Sequence, residues 1–581
     1  MGKRAIILNT LIAFAFVVII IRLADIMIFN HQRFLEKARK QQLSIEEIQV
    51  RRGTIFDRRG RELALNLEVE SLYGDPAEMV SPENTANILS NLTGKPEKAI
   101  YKKLRSDGRF VWIERKLEIE TTEKIKALGL KGVGFVQEAK RFYPKGTLAS
   151  HIIGSVNIDN KGIEGIELQY DKFIGSTGGK VLFKRDASGK RLSDGVDREH
   201  RGNNIMLTID EGLQAIVEAE LDEAMSRWRA SAATAIVMDP WTGEILALAN
   251  RPAFNPNLPG RGRDSERRNR AITDVYEPGS TFKIIVGTAA LEEKMVRLDT
   301  LFDCSSGYIE IGGKKIRDAH KHGVLTFKEV IQKSSNVGSS MIGLKLGKER
   351  IYKYARAFGF GEKTGIDLPG EVSGWIRPPE RWSGTSIGAI SIGQEVAVTP
   401  LQVLRAYSAI ANGGFLVTPH VVSRIFSQEG KTLWSFNPSY KRAISSKTAM
   451  VFKEILKTVT EEGGTATAAS IEGNEVAGKT GTAQVVDPLT KRYSRDRYIA
   501  SFVGFVPADN PRLSMIVVIY EPKGVHYGGV VAAPVFKRIA ENALSYLNIP
   551  REDIYENVLV VNNSRGQGLY GNRYDSPAMA R

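Results

Sequence analysis

Cysteine is nearly missing. Cys304 is the single one in 581 residues, which excludes an intramolecular disulfide, a Cys-x-x-Cys redox pair and a cysteine-built zinc site. Proline and glycine, 22 and 55, fall short of a low-complexity chain, and no fixed repeat period recurs. Acidic residues are outnumbered, 66 against 81 basic ones, leaving a formal charge of +15. That surplus suits nucleic acid, an anionic membrane surface or a polyanionic polymer, and does not choose among them. What is present is ordinary globular material, 42% hydrophobic and 25% charged. The length exceeds a domain of about 100–200 residues, so more than one folding unit with a sizeable core is expected.

One long apolar run exists, and it opens the chain. After Lys3 and Arg4, residues 5–21 carry no charge; Arg22 and Asp25 then interrupt before a second apolar patch at residues 26–29. At about 1.5 Å per residue, 5–29 crosses a bilayer of about 30 Å if Arg22 and Asp25 lie near the interface. The run is long for a cleaved signal and no small-x-small cleavage site follows it, so an uncleaved anchor is expected after a four-residue cytoplasmic N-terminus, 1–4. Arg33, Lys37, Arg39 and Lys40 behind the run outnumber Lys3 and Arg4 before it, so flanking charge does not set the topology.

From about residue 40 to 200 the chain mixes short helical and strand patterns, with Gly53 and Gly60 suited to turns between short extended pieces. A regular reading begins at Asn204: a strand to Thr208, Asp210 as an N-cap, then a helix with Leu213, Ile216, Val217, Leu221, Ala224 and Trp228 at core spacing. Residues 232–238 and 244–249 read as a β-hairpin around Asp239-Pro240-Trp241-Thr242-Gly243, and 501–506 and 513–520 read as strands near the other end. Strands at both ends with helical sequence between them imply an α+β fold with a largely antiparallel sheet. After Pro550 the Asn-, Gly- and Arg-rich residues 551–581 read as a tail.

Three short motifs follow in order. Glu277-Pro278-Gly279-Ser280-Thr281-Phe282-Lys283 precedes a helix-competent run, which puts Ser280 in a first turn and Lys283 on the same face. A serine becomes a nucleophile only beside a base, and a lysine serves when burial or another cation lowers its pKa. Ser-x-x-Lys alone recurs by chance, and an N-cap serine beside a solvated lysine shows the same pattern. Ser334-Ser335-Asn336 follows a helical stretch at 327–332, and Lys479-Thr480-Gly481-Thr482 opens the strand-like 483–486.

Together, in this order, the motifs resemble the signature of the penicillin-recognising serine acyltransferases. Residues 203–257, with LTID and MDPWTGEILALANRPAFNPN, are similar to the start of a class B penicillin-binding protein transpeptidase domain, and RRGTIFDRRGRELA (51–64) and RFYPKGTLASHIIG (141–154) to the family's pedestal. The resemblance implies an N-terminal transmembrane helix (5–29), a mixed α/β, dimerisation-like pedestal (40–200) and a transpeptidase domain (203–550) with a five-stranded, mainly antiparallel sheet flanked by helices. It implies a D-Ala-D-Ala transpeptidase that cross-links peptidoglycan stem peptides through a serine acyl-enzyme, takes β-lactams, and needs no cofactor or metal. Catalysis then falls to Ser280 as nucleophile, Lys283 as base, Ser334 and Asn336 as relay and positioning groups, and Lys479 as the cation that holds the substrate carboxylate and helps depress the pKa of Lys283. Thr480, Gly481 and Thr482 bind substrate, and the N–H groups of Ser280 and Thr482 form the oxyanion hole. The pedestal wording and the ending APVFKRIAENALSYLNIP are similar to the FtsI-like division branch, which implies the inner membrane, an external catalytic domain, and an FtsW-like glycan polymerase and other division proteins as partners. An elongation-type transpeptidase and a catalytically silent β-lactam sensor or scaffold are the alternatives. No Glu-Asp-x-x-Phe segment lies between anchor and transpeptidase, which disfavours a bifunctional class A enzyme.

Rival patterns remain to be placed. Residues 473–480 satisfy the P-loop string, but a P-loop must feed a helix and here a strand is expected. Asp318-Ala319-His320-Lys321-His322 alternates metal-ligand types in what reads as an exposed loop. Glu62-Leu63-Ala64-Leu65-Asn66 matches the Glu-x-x-Leu-Asn string of class A β-lactamases, far upstream of Ser280 in pedestal-like sequence.

Overall fold

In the computed structural model, residues 2–30, 32, 43–47, 51–175, 180–184 and 201–552 are described, apart from 259, 488–489 and 491. Most of the expected tail, from 553 on, lies outside the described residues.

The apolar run forms a helix, Lys3–Ala24, that continues as a π-helical turn, Asp25–Phe29. Its stretch Ile6–Ile28 has a mean hydropathy of 2.7 with none of it buried, and among the described residues it is the one helix long and apolar enough to cross a membrane. Arg22 and Asp25 pair at 2.8 Å one turn apart, so the two charges that interrupt the run neutralise each other within the helix.

The chain divides into two compact units, the first made of Met1–Gly53, Asn66–Lys140 and Lys172–Asn203, the second of Thr54–Leu65, Arg141–Asp171 and Asn204–Arg581. In the first, Leu72 to Gly74 pair antiparallel with strand Val111–Glu114. Helix Pro82–Thr93 begins with Pro82 at N1, where its missing N–H costs nothing, and ends on Gly94 at φ +70°. Its Ala86 and Leu89 pack with Leu72, Ile100, Leu104 and Ile113 into one core.

In the second unit a five-stranded antiparallel sheet runs in the order Ala477–Val486, Tyr493–Val506, Leu513–Tyr520, Ala232–Met238, Ile245–Arg251. The central strands are apolar on both faces because both are covered. Phe502, Met515 and Val517 meet helices Glu211–Trp228 and Ala533–Tyr546, where Phe502 and Phe536 stack edge to face at 4.7 Å. Helix Pro400–Ala411 packs on the same strands. Removing either ring would cost about 3–5 kcal/mol.

Asp210 caps the Glu211 helix, accepting from the N–H groups of Gly212 and Leu213. Of the six apolar residues expected on its core face, Leu213, Val217, Leu221 and Ala224 are fully buried while Ile216 and Trp228 are half-buried. The buried stripe includes Gln214 instead, whose amide donates to Leu248 O at 2.9 Å and accepts from Leu248 N at 2.8 Å. A buried amide satisfied at both ends joins a core at little cost, which a purely hydrophobic pattern does not register. Gly60 does turn the chain, at φ +82°, but Gly53 does not sit in a turn.

Candidate active site

The three motifs converge in the second unit. Ser280 sits in a short 3-10 turn, Gly279–Phe282, that runs straight into helix Lys283–Glu292. The turn lies tight against the strand bearing the third motif: Gly279 has φ +55°, and a Cβ there would stand 3.1 Å from Thr482 O. Gly481 meets the turn from the other side, where a Cβ would be 3.0 Å from Thr281 and 3.1 Å from Pro278 O. At Gly279 the obstacle is backbone and φ is positive, while at Gly481 the nearest obstacle is Ser501 Oγ, 2.4 Å from a Cβ.

Ser334 ends the segment after helix Phe327–Gln332 in a left-handed conformation, φ +59°, uncommon for a serine. This turns both its carbonyl and its hydroxyl to one side. Ser335 then caps helix Asn336–Leu346 by accepting from Gly338 N, and Asn336 opens that helix. Lys283 Nζ donates to Ser334 O at 2.6 Å, Ser334 Oγ at 3.2 Å and Asn336 Oδ1 at 2.8 Å. Three acceptors match an ammonium; a neutral amine keeps two N–H groups and frees a lone pair.

Burial decides which form prevails. Lys283 is fully buried and desolvation lowers its pKa to about 7, with the Asp318 carboxylate opposing. Lys479, equally buried near the start of strand Ala477–Val486, is pushed well below the usual lysine range by desolvation and then by the charge of Lys283. The sequence reading gave Lys479 a share in depressing Lys283; desolvation is the leading cause at both lysines. Lys479 Nζ donates to Thr480 Oγ1 at 3.3 Å, and Thr480 Oγ1 lies 2.9 Å from Thr465 Oγ1. Thr482 Oγ1 accepts from Gly528 N at 3.1 Å.

Ser280, Ser334, Asn336, Thr480 and Thr482 line a cleft of about 1350 Å³, while Lys283, Lys479 and Gly481 lie behind its wall. Two carboxylates that sequence reasoning did not assign to the site also line it. Glu277, three residues before the serine, accepts from Tyr493 OH at 2.9 Å and Glu395 N at 2.8 Å, and burial raises its pKa. Asp318 accepts from Ser335 Oγ at 2.8 Å, from Val337 N at 3.0 Å and from Asn336 N. Asp318 is thus a helix cap, and among the described residues no three His, Cys, Asp or Glu side chains gather as a metal site. Lys479 and Thr480 lie within a strand with no helix following, so the P-loop string has no phosphate cradle. Cys304 is buried behind the site, 3.5 Å from Ser335 Oγ, and desolvation raises its pKa, away from the reactive thiolate.

A serine turn leading a helix, a buried lysine held by a Ser-x-Asn turn, and a Lys-Thr-Gly strand edging a five-stranded sheet together define a serine acyltransferase of the penicillin-recognising class. The family model "Penicillin binding protein transpeptidase domain" matches residues 233–541, and "Penicillin-binding Protein dimerisation domain" matches 47–207. The chain is 33% identical over 562 residues to peptidoglycan D,D-transpeptidase FtsI of Escherichia coli, covering 94% of this chain and 93% of that one. It is 37% identical over 507 residues to a probable peptidoglycan D,D-transpeptidase, PenA, of Neisseria meningitidis, covering 86% and 85%. The crystal structure of penicillin-binding protein 3 of Mycobacterium tuberculosis complexed with aztreonam superposes with a TM-score of 0.70 at 29% identity, over 87% of this chain and 98% of that one. The chain belongs to the class B penicillin-binding proteins, in their FtsI-like group.

Proposed function

We propose that this protein is a peptidoglycan D,D-transpeptidase of cell division, anchored by residues 5–29, with a pedestal-like domain (40–200) and a catalytic domain (203–550) outside the cytoplasmic membrane. The observation that carries the reading is the fully buried Lys283, one helical turn from Ser280 and bonded to Ser334 O and Asn336 Oδ1.

Neutral Lys283 takes the hydroxyl proton as Ser280 Oγ attacks the carbonyl carbon of the penultimate D-Ala. The carbonyl oxygen becomes an oxyanion met by the N–H groups of Ser280 and Thr482. As it collapses, the C–N bond breaks and D-Ala leaves with a proton relayed through Ser334, giving the acyl-enzyme. A stem-peptide amine then attacks, loses its proton to the same relay and forms the cross-link, which frees Ser280. Asn336 orients the substrate amide, and Lys479 with Thr480 and Thr482 holds the terminal carboxylate, whose arrival favours the charged form of Lys479. β-lactams enter by the same first step because the ring amide occupies the place of the D-Ala-D-Ala bond.

Ser280→Ala should abolish covalent penicillin labelling and cross-linking with the fold intact, as read by gel fluorescence beside a thermal melt. Labelling of the folded variant would remove Ser280 from the role. The division assignment rests on likeness to FtsI, and an FtsW-like glycan polymerase with other division proteins is the partner set it implies. A fluorescent fusion should gather at midcell; signal confined to the lateral wall would favour the elongation-type alternative, and labelling without peptide turnover the sensor.

A further inference from the structure

The loop bearing Asp318 leaves an antiparallel hairpin, Tyr308–Ile311 with Lys314–Arg317. The hairpin is seated on backbone: Gly312 is at φ +55°, and a Cβ there would stand 2.6 Å from the Gly384 carbonyl carbon. Ile311 and Ile316 close on Gly388 in helix Ser386–Ser391. Asp318 N donates to Gly307 O at 3.1 Å, so the base of the loop is fixed as well. From this seat the Asp318 carboxylate takes the hydroxyl of Ser335 and the N–H groups of Asn336 and Val337. Asn336 Nδ2 donates to Arg317 O at 2.8 Å, which points its Oδ1 at Lys283 Nζ. The hairpin therefore sets the amide orientation of Asn336 and stands behind the left-handed turn at Ser334.

We propose that Asp318 is a positioning residue for acylation: its carboxylate fixes the turn at residues 334–336 so that three acceptors converge on Lys283 Nζ, and it presents that amine with a fixed negative charge. The inference rests on Ser280 and Lys283 being nucleophile and base. Asp318 favours the protonated form of Lys283 and desolvation the neutral one, and the amine titrates at about 7 between them. The other titratable groups nearby include Lys479 on its strand, Cys304 behind Ser335, His320 and His322 on the Asp318 loop, and Arg317, Lys333 and Glu277 on the cleft wall. Lys479 and Lys283 repel each other, so Asp318 is the opposing anion.

The test is the rate of acylation by a fluorescent penicillin, followed across pH on the full-length protein in detergent micelles. Asp318→Asn should slow acylation at neutral pH by on the order of tenfold or more, since a misplaced base loses part of its effect. It should also move the midpoint of the rise with pH by about one pH unit toward acid, because the anion that held the proton on Lys283 is gone. A merely structural role would lower the rate and leave the midpoint in place. Asp318→Glu should restore the midpoint but not the full rate, its longer arm fitting the turn poorly. Ser335→Ala, which keeps the charge and removes one partner, should slow acylation at an unshifted midpoint. A parental midpoint in folded Asp318→Asn overturns the charge role. If Asp318→Asn does not fold, parental rates in both Ser335→Ala and Asp318→Glu overturn the positioning role. Absence of acylation in the parental protein would instead sink the assignment of Ser280 and Lys283.

Discussion

A lysine that works as a base is useful only while neutral, and at Lys283 burial brings the neutral form within reach of physiological pH. Its pKa of about 7 lies below the usual lysine value because the buried charge is disfavoured. The sign follows: below about 7 the amine holds its proton and cannot accept another from Ser280, and above it the lone pair is free. Stopped-flow acylation by penicillin should therefore rise with pH through about 7 and level off above it. A flat profile across that range would remove Lys283 as the base. Lys283→Arg should lose about 10²–10⁴-fold in acylation rate, since a guanidinium stays charged. At this scale the sequence was partly legible. Ser280 with Lys283, and Ser334 with Asn336, are spaced locally; Lys283 bonds to Ser334 and Asn336, and Ser280 lines the cleft one turn before it. Asp318 was not legible, because its partners at residues 335–337 lie one hairpin exit away and its own neighbours, His320 and His322, mimic a ligand string. Gly481 carried a substrate role in the sequence reading, and the structure gives it a packing reason as well: a side chain there would push first on Ser501 and then on Thr281 and Pro278.

Backbone contact helps to place the elements around the serine turn. Gly279 N donates to Gly393 O at 3.1 Å, and a Cβ on Gly393, at φ +79°, would stand 2.0 Å from Gly279 O. Gly393→Ala therefore cannot be absorbed by rotating a side chain. The loop after helix Ser386–Ser391 or the serine turn has to move. The expected cost is about 2 kcal/mol, from overpacking plus the left-handed conformation forced on alanine, together with slower penicillin labelling. A thermal melt and a labelling time course check both, and parental values in each would show that the two loops are not locked together. Nothing in the sequence marks Gly393, since a lone glycine before a glutamine has no motif. The longer elements were legible because periodicity reports them directly: the hairpin at 232–251 and the strands ending in Val506 and Tyr520 appear where alternation and apolar runs put them. Strand Tyr493–Val506 starts well before the expected 501, since its first half is polar and only half-buried and so lacks the core signal.

Across the whole molecule, an exposed apolar helix, a unit built on short strands and helices, and the unit holding the cleft succeed one another largely as composition and motif order imply. The compact units do not break the chain at single points. Thr54–Leu65 and Arg141–Asp171 belong with the second unit, and charge explains the first of them: Arg59 and Arg61 bond to Asp210 at 2.8 and 3.1 Å. Such long-range pairs carry no local pattern. The arrangement also bears on the fate of the acyl-enzyme. Rapid hydrolysis requires a free base that delivers water to the acyl carbon, the part a glutamate plays in class A β-lactamases. The one Glu-x-x-Leu-Asn string begins at Glu62, exposed at the start of strand Glu62–Gly74 and absent from the cleft lining. The cleft's own carboxylates are already engaged, Glu277 by Tyr493 and Glu395, Asp318 by the helix it caps. A penicillin also leaves its cleaved ring attached where the acceptor amine would approach. One adduct on Ser280 should thus persist for hours after free penicillin is removed, seen by intact-mass spectrometry of the full-length protein. Return to the unmodified mass within seconds, with hydrolysed penicillin accumulating beyond one equivalent, would mean that a water-activating base operates in this cleft and that the chain hydrolyses rather than transfers its acyl group.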